Sequence, residues 1–226
     1  TKDVALNLAR SLVSVAKGAG LQCQAILTDM NQVLGRNAGH TLEIKECAEY
    51  LTNKRKNKRL EKITNELIAS VLMMAKKTEK QESYEKINQV LSNGMAAEKF
   101  NKMVHALGGP ADFLEKHDSL LQSSSYVGEI KANETGSIHS IETRKLGLTL
   151  IELGGGRKQV DDEINYAVGY ENVVSVGDNV DTSTPLLRVH ASSQSDFDRV
   201  KNEIEKCFVI SDTKRNNLDT IYQTIN

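Results

Sequence analysis

Residues 28–40 read TDMNQVLGRNAGH, and their reading decides the fold. The apolar Ala25, Ile26 and Leu27 precede them and a helical pattern follows, so the stretch is a loop between a strand and a helix. Open α/β sheets place ligands in such loops, at the carboxyl ends of strands. Gly35 and Gly39 would let backbone carbonyls turn toward a bound ion. Leu34 and Asn37 can offer carbonyl oxygens. Glu46, a little over a helical turn into the next element, can offer a carboxylate. Such an all-oxygen set suits a hard cation and not zinc. The same spacing also fits a tight strand-to-helix connection with polar capping and a solvent-facing Glu46.

Working outward, residues 1–20 form a helix: Val4, Leu8, Leu12, Val15 and Ala16 recur at helical spacing, and Gly18 and Gly20 end it. Residues 21–27 read as a strand. A helix over 41–51 has Leu42, Cys47 and Leu51 as inward positions. Leu60, Ile63, Leu67, Val71 and Met74 make one apolar stripe on a helix over 60–74. Further helices cover 84–91 and 96–107, and Gly108-Gly109-Pro110 is a hard stop. Ser123-Ser124-Ser125 reads as a linker, after which the pattern changes. Strands are expected at 126–132, 137–141, 173–176, 186–190 and 207–210, with helices at 144–153 and 195–206. The fold class is therefore α/β, with a mostly helical α/β part over 1–120 and a β-rich part over 121–226.

Composition narrows the function. The 29 basic and 30 acidic residues nearly cancel, which argues against a broad nucleic-acid or anionic-membrane footprint. Apolar runs fall far short of the roughly 20 residues of a membrane helix. Cys23, Cys47 and Cys207 form no disulfide framework and no Cys-x-x-Cys pair, a usage that suits a reducing cytoplasm. Aromatics are only 4% and Trp is absent, so aliphatic side chains must fill the core.

Other motifs read as structure. Gly154-Gly155-Gly156-Arg157-Lys158 could meet an anion, but it lacks the spacing of a nucleotide-binding P-loop and reads as a helix end with a basic turn. The run Lys54-Arg55-Lys56-Asn57-Lys58-Arg59 has no interleaved aromatics and reads as a solvated turn. His40, His105, His117, His139 and His190 lack metal-ligand spacing. Asp161-Asp162 are turn neighbours, and Ser137 and Ser140 beside His139 have no oriented base.

The order of several blocks resembles the pyrimidine-nucleoside phosphorylase family. Residues 28–39 look like that family's post-strand loop, and residues 43–51 continue into its next helix. Asn93-Gly94 with Ala96-Ala97-Glu98-Lys99-Phe100, the run from Gly136-Ser137 to Arg144-Lys145-Leu146-Gly147, and residues 153–158 follow in order. Ala167-Val168-Gly169 and Val176-Gly177-Asp178 come next, then Pro185-Leu186 and Val189-His190-Ala191. The resemblance implies a partial α/β domain, opening inside a larger one, followed by a mixed barrel-sandwich or hammerhead-like carboxyl-terminal region. It implies reversible phosphorolysis of thymidine to thymine and 2-deoxyribose 1-phosphate, a cytoplasmic enzyme, and a homodimer formed through a helical domain. Phosphate is a co-substrate and no organic cofactor is expected.

The family's phosphate-binding and pyrimidine-binding motifs lie upstream of the position matched by Thr1, so no catalytic residue is assigned in this chain and these residues alone are expected to be inactive. Should Thr1 be the authentic start, a noncatalytic scaffold or binding module is the competing expectation. The resemblance also implies a potassium-like ion held by Leu34 and Asn37 carbonyls and the Glu46 carboxylate. Asn37 stands where Ala is more usual, so Asn37→Ala is expected to be mild. His40 replaces a common Asn. A lipoyl-type carrier is not expected, because neither the 133–136 nor the 177–185 turn carries a lysine.

Overall fold

The computed structural model describes residues 1–213, 215 and 218–226. In chain order the elements begin with α1 (Lys2–Gly18), β1 (Ala25–Thr28), α2 (His40–Leu51), α3 (Lys58–Lys76) and α4 (Lys80–Ser92). Next come α5 (Met95–Ala106), α6 (Phe113–Leu120), β2 (Tyr126–Lys131), β3 (Gly136–Ile141) and α7 (Thr143–Glu152). The remainder are β4 (Gly169–Glu171), β5 (Asn179–Val180), β6 (Pro185–Ala191), α8 (Gln194–Glu205), β7 (Phe208–Ser211) and β8 (Ile221–Ile225). Among the described residues, no helix is long and apolar enough to cross a membrane.

These elements form two compact units. The first comprises Thr1–Asp29, Lys58–Met95 and Asp219–Asn226; the second comprises Met30–Asn57 and Ala96–Leu218. Neither unit is one continuous run of the chain. The reason is the chain's last strand: β8 returns to pair antiparallel with β1, setting Ala25 opposite Ile225 and Leu27 opposite Gln223. A change in composition along the sequence cannot register a partner so distant.

In the first unit Asp29 is fully buried. Arg59 Nη1, in the first turn of α3, donates to its Oδ2 at 3.0 Å, and the Tyr222 hydroxyl of β8 donates to its Oδ1 at 3.1 Å. The Asp29 N–H donates to the Thr220 carbonyl at 3.1 Å. One carboxylate thus ties the end of β1 to a helix start and to β8. Glu66 does similar work between helices, accepting from Lys80 Nζ at 2.7 Å and from the Tyr84 hydroxyl at 2.6 Å. α1 forms where the spacing predicts it and ends at Gly18, yet Val4, Leu8, Leu12 and Val15 are exposed and Val13 is buried. Helical spacing identifies residues that share a face, not what covers that face. On α3, Ile63 is buried while Leu67 and Val71 are exposed.

The second unit carries two three-stranded antiparallel sheets, ordered β2-β6-β4 and β5-β3-β7. They do not close into a barrel. Ile130, Ile138, Tyr170, Leu187, Val189, Val200 and Ile204 form the core between sheets and helices. Gly128 on β2 is needed where Phe197 of α8 crosses, because a Cβ there would lie 2.6 Å from the ring. The mixed α/β class is as expected, but every strand pair among the described residues is antiparallel. The argument that located a ligand loop by analogy with a parallel open sheet therefore loses its basis.

Residues 173–176 are a buried loop, not the expected strand. Their N–H groups are satisfied outside a ladder: Val173 donates to the Arg36 carbonyl at 2.8 Å, and Val174 to that of Leu186 at 2.9 Å. A buried apolar run mimics a strand when its backbone partners come from loops.

Tyr222→Phe removes the hydroxyl that donates to the buried Asp29 carboxylate and keeps the ring. We expect a loss of about 1–3 kcal/mol in stability, measured by urea unfolding. A change within the error of that measurement would show that Tyr222 does not help to hold β8 on β1.

Candidate functional site

Ala38 and Tyr170 exchange backbone hydrogen bonds at 2.9 and 2.7 Å, which lays the 35–39 loop against β4. The approach leaves no space for side-chain carbon. A Cβ at Gly39 would sit 2.6 Å from the Val168 carbonyl oxygen, and one at Gly169 would sit 2.4 Å from that of Ala38. Gly39 also has φ +121°, which L side chains rarely adopt. From this anchor the chain enters α2, where the Gly39 N–H donates to Glu43 Oε1 at 3.0 Å, closing the helix start. His40 begins the helix with its ring edge-on to Tyr166.

The inward face of α2 differs from the expected one. Cys47 is exposed, whereas Leu42, Glu46, Ala48 and Tyr50 are buried. Glu46 points back into the loop rather than to solvent. The Arg36 N–H donates to both of its oxygens, at 3.1 and 3.2 Å, and the Asn37 N–H donates at 3.1 Å. Gly35 makes this possible, since a Cβ there would lie 2.6 Å from the carboxylate. The Arg36 guanidinium stands 3.5 Å from Glu46 and also pairs with Glu49.

Burial pushes the Glu46 carboxyl above its ordinary 4.5; the Arg36 N–H and guanidinium and the Asn37 N–H oppose that shift in part. A hydrogen-bonded carboxylate still has lone pairs available to a cation. The loop therefore presents a buried negative charge that is incompletely compensated.

Asn37 has a structural part that the sequence did not reveal. Its amide Nδ2 donates to the Leu42 carbonyl, and its Oδ1 accepts from the Asn172 N–H, each at 3.1 Å. The side chain thus clips the loop both to α2 and to the end of β4. Leu34 lies earlier in the loop with its side chain half exposed. The structure brings Glu46 to the backbone of Asn37, and it adds Gly35 and Arg36, whose roles sequence spacing left unmarked.

The other sequence motifs resolve into structure. The Lys158 and Gln159 N–H groups, which could have met an anion, donate to Asp162 Oδ2 at 2.8 and 2.9 Å. Those two bonds hold the Asp162 carboxyl below its usual range. In the basic run, Arg59 is engaged by Asp29 and Arg55 Nη2 reaches Asn172 at 3.3 Å. Among the described residues, no group of three or more His, Cys, Asp or Glu side chains could hold a metal ion. A ligand set built from carbonyls and one carboxylate is of a different kind.

Residues 137–211 match the family model described as the pyrimidine nucleoside phosphorylase C-terminal domain. The matched span runs from β3 through β7. It contains Gly169, Tyr170, Asn172 and Val173, the residues against which the 36–39 loop is held.

Two outcomes follow from this geometry. Asn37→Ala leaves the half-buried Asn172 N–H and the carbonyl of buried Leu42 each without this partner, so it should cost about 1–3 kcal/mol in thermal or denaturant unfolding. This stability cost is separate from the mild effect on ion binding expected when only the backbone carbonyl of Asn37 is a ligand. The second concerns pH. Because its folded pKa is raised, Glu46 binds a proton more readily in the folded chain than in the unfolded one. Its contribution to stability therefore improves as pH falls through the raised value toward 4.5, and the penalty is fully present above it. Glu46→Gln should remove that part of the pH dependence in denaturation curves taken from neutral to mildly acidic pH. Identical pH slopes in the two proteins would mean that Glu46 is not the group.

Proposed function

We propose that the chain belongs to the pyrimidine nucleoside phosphorylases and serves a thymidine phosphorylase, a cytoplasmic, homodimeric pentosyltransferase of nucleoside salvage. The observation that carries this reading is the match of residues 137–211 to the family's C-terminal domain. The resemblance of residues 28–39 to the family's post-strand loop supports it, because the loop is held on that same domain.

The reaction is displacement at the anomeric carbon of thymidine. A phosphate oxygen forms a bond to that carbon while the bond to the pyrimidine nitrogen breaks and its electrons pass to thymine. Cations and hydroxyls must hold phosphate, and donors must meet the charge growing on the base. Those groups are assigned to segments that the resemblance places outside these 226 residues.

The part assigned to this chain is support. The Leu34 and Asn37 carbonyls and the Glu46 carboxylate would hold a potassium-like ion, which supplies positive charge that fixes the loop and takes no part in bond making. The buried Glu46 carboxylate suits a monovalent cation, since it has acceptor capacity left and a charge that burial penalises. The Arg36 guanidinium, 3.5 Å away, would compete for the same oxygens.

A polypeptide that joins these residues to the phosphate- and pyrimidine-binding segments should release thymine and 2-deoxyribose 1-phosphate from thymidine and phosphate; the 226 residues alone should not. Absence of product from every pyrimidine nucleoside would end the assignment. For the ion, activity of the complete enzyme should be titrated with potassium. Glu46→Gln should shift the half-maximal potassium concentration upward, with activity partly restored at high potassium. Arg36→Gln should shift it downward. An unchanged potassium dependence in Glu46→Gln would eliminate Glu46 as a ligand.

A further inference from the structure

Away from Glu46, within the second unit, three side chains spread over 47 sequence positions from Ser124 to Glu171, and 19 more to His190, meet on the wall of one cavity of about 270 Å³. Ser124 Oγ lies 3.1 Å from His190 Nδ1, and His190 Nε2 lies 3.5 Å from Glu171 Oε2. His190 is on β6, the central strand of its sheet, with Val127 of β2 on one side and Gly169 of β4 on the other. Its side chain is 17% exposed, so the ring is held by packing yet open to the cavity. Glu171 is itself held by Arg188 Nη1 at 3.6 Å. Lys45, kept in place by Asp118 at 3.2 Å, lines the same cavity.

We propose that Ser124, His190 and Glu171 form a nucleophilic site that hydrolyses small esters. A hydroxyl becomes a useful nucleophile when a base accepts its proton and a third group orients that base. With Nε2–H directed at Glu171, the lone pair of His190 Nδ1 faces the Ser124 hydroxyl. The nitrogens are exchanged relative to the usual serine–histidine arrangement, in which Nε2 faces the serine. Either nitrogen can act, since the requirement is one lone pair toward the hydroxyl and one N–H toward a carboxylate.

The chemistry closes. Ser124 Oγ attacks the ester carbonyl carbon as its proton passes to His190 Nδ1. The ester C–O bond breaks, and the departing alkoxide takes the proton from Nδ1 and leaves as an alcohol. Water then adds to the acyl-serine by the same base, giving a carboxylic acid and the original hydroxyl. The Lys45 ammonium is the cavity's cation for the negative charge that develops on the carbonyl oxygen. The cavity lies at the small end of ligand pockets, which selects short acyl groups. Glu171 acts through His190 and is a positioning residue. None of these steps uses the Glu46 carboxylate or phosphorolysis.

The test uses the 226-residue chain and a fluorophosphonate probe, with the modified peptide mapped by mass spectrometry. Ser123 and Ser125 flank Ser124 and are more exposed, so they report reactivity due to access alone. The adduct should fall on Ser124 and not on its neighbours. His190→Gln should slow labelling about 100-fold or more, the scale of a lost general base. Ser124→Ala should reduce p-nitrophenyl acetate hydrolysis to the buffer rate. Glu171→Gln should lower the labelling rate and shift the His190 ring-nitrogen NMR signals toward a mixed tautomer, which a purely structural role would not do. No adduct, equal labelling of Ser123, Ser124 and Ser125, or unchanged hydrolysis by Ser124→Ala would each overturn the proposal.

Discussion

The contact between the backbone of Ala38-Gly39 and that of Val168-Gly169-Tyr170 is the constraint on which the rest of the candidate site depends. Two carbonyl oxygens stand where Cβ atoms would otherwise be, at 2.6 Å for Gly39 and 2.4 Å for Gly169. Backbone polar groups buried this closely must pair with one another, and the 2.9 and 2.7 Å bonds between Ala38 and Tyr170 do so. Once this contact is made, the direction of α2 is set, and with it the place of Glu46. Hydrophobic burial stabilises the unit as a whole, but it is non-directional. The hydrogen-bonded contact supplies the direction.

Glu46 shows why that direction matters energetically. A carboxylate this buried is costly unless its oxygens are occupied. Three N–H contacts and a guanidinium at 3.5 Å occupy them in part, and the raised pKa records that the compensation is incomplete. An apolar side chain here would leave the Arg36 and Asn37 N–H groups and the Arg36 guanidinium without this partner, so the carboxylate holds the loop whether or not an ion binds beside it.

Local periodicity made the helices legible. α3 and α8 follow from apolar spacing, and β2, β3, β6 and β7 from short apolar runs between turn residues. What escaped was long-range. Ile221, Tyr222, Thr224 and Ile225 favour a strand, but nothing near them says that its partner is β1. α6 begins soon after Pro110, where the helix-stop signal dominated the reading. Residues 173–176 were misread because burial and β-branched side chains do not require a ladder. At the site, spacing marked Glu46 as a candidate carboxylate but equally allowed a solvent-facing residue, and family likeness favoured the first reading. Arg36 and the second role of Asn37 were invisible, since their partners come from α2 and from Asn172. The cluster of Ser124, Glu171 and His190 could not be read at all, because it exists only where three loops and strands meet.

The two strands of family likeness, the loop at 28–39 and the matched span 137–211, are joined physically and not merely in sequence order. Arg36 accepts from Val173, Asn37 accepts from Asn172, and Ala38 pairs with Tyr170. Three consecutive loop residues thus engage the 170–173 segment, Arg36 and Ala38 by backbone and Asn37 by its side chain. The matched span can determine the geometry at Glu46 by being the surface on which the 36–39 loop is held. Substitutions at 36–39 and at 169–173 should therefore be energetically coupled, whereas changes on the outer face of α8 should not. The matched span is then the support that sets where the 36–39 loop and the Glu46 carboxylate stand.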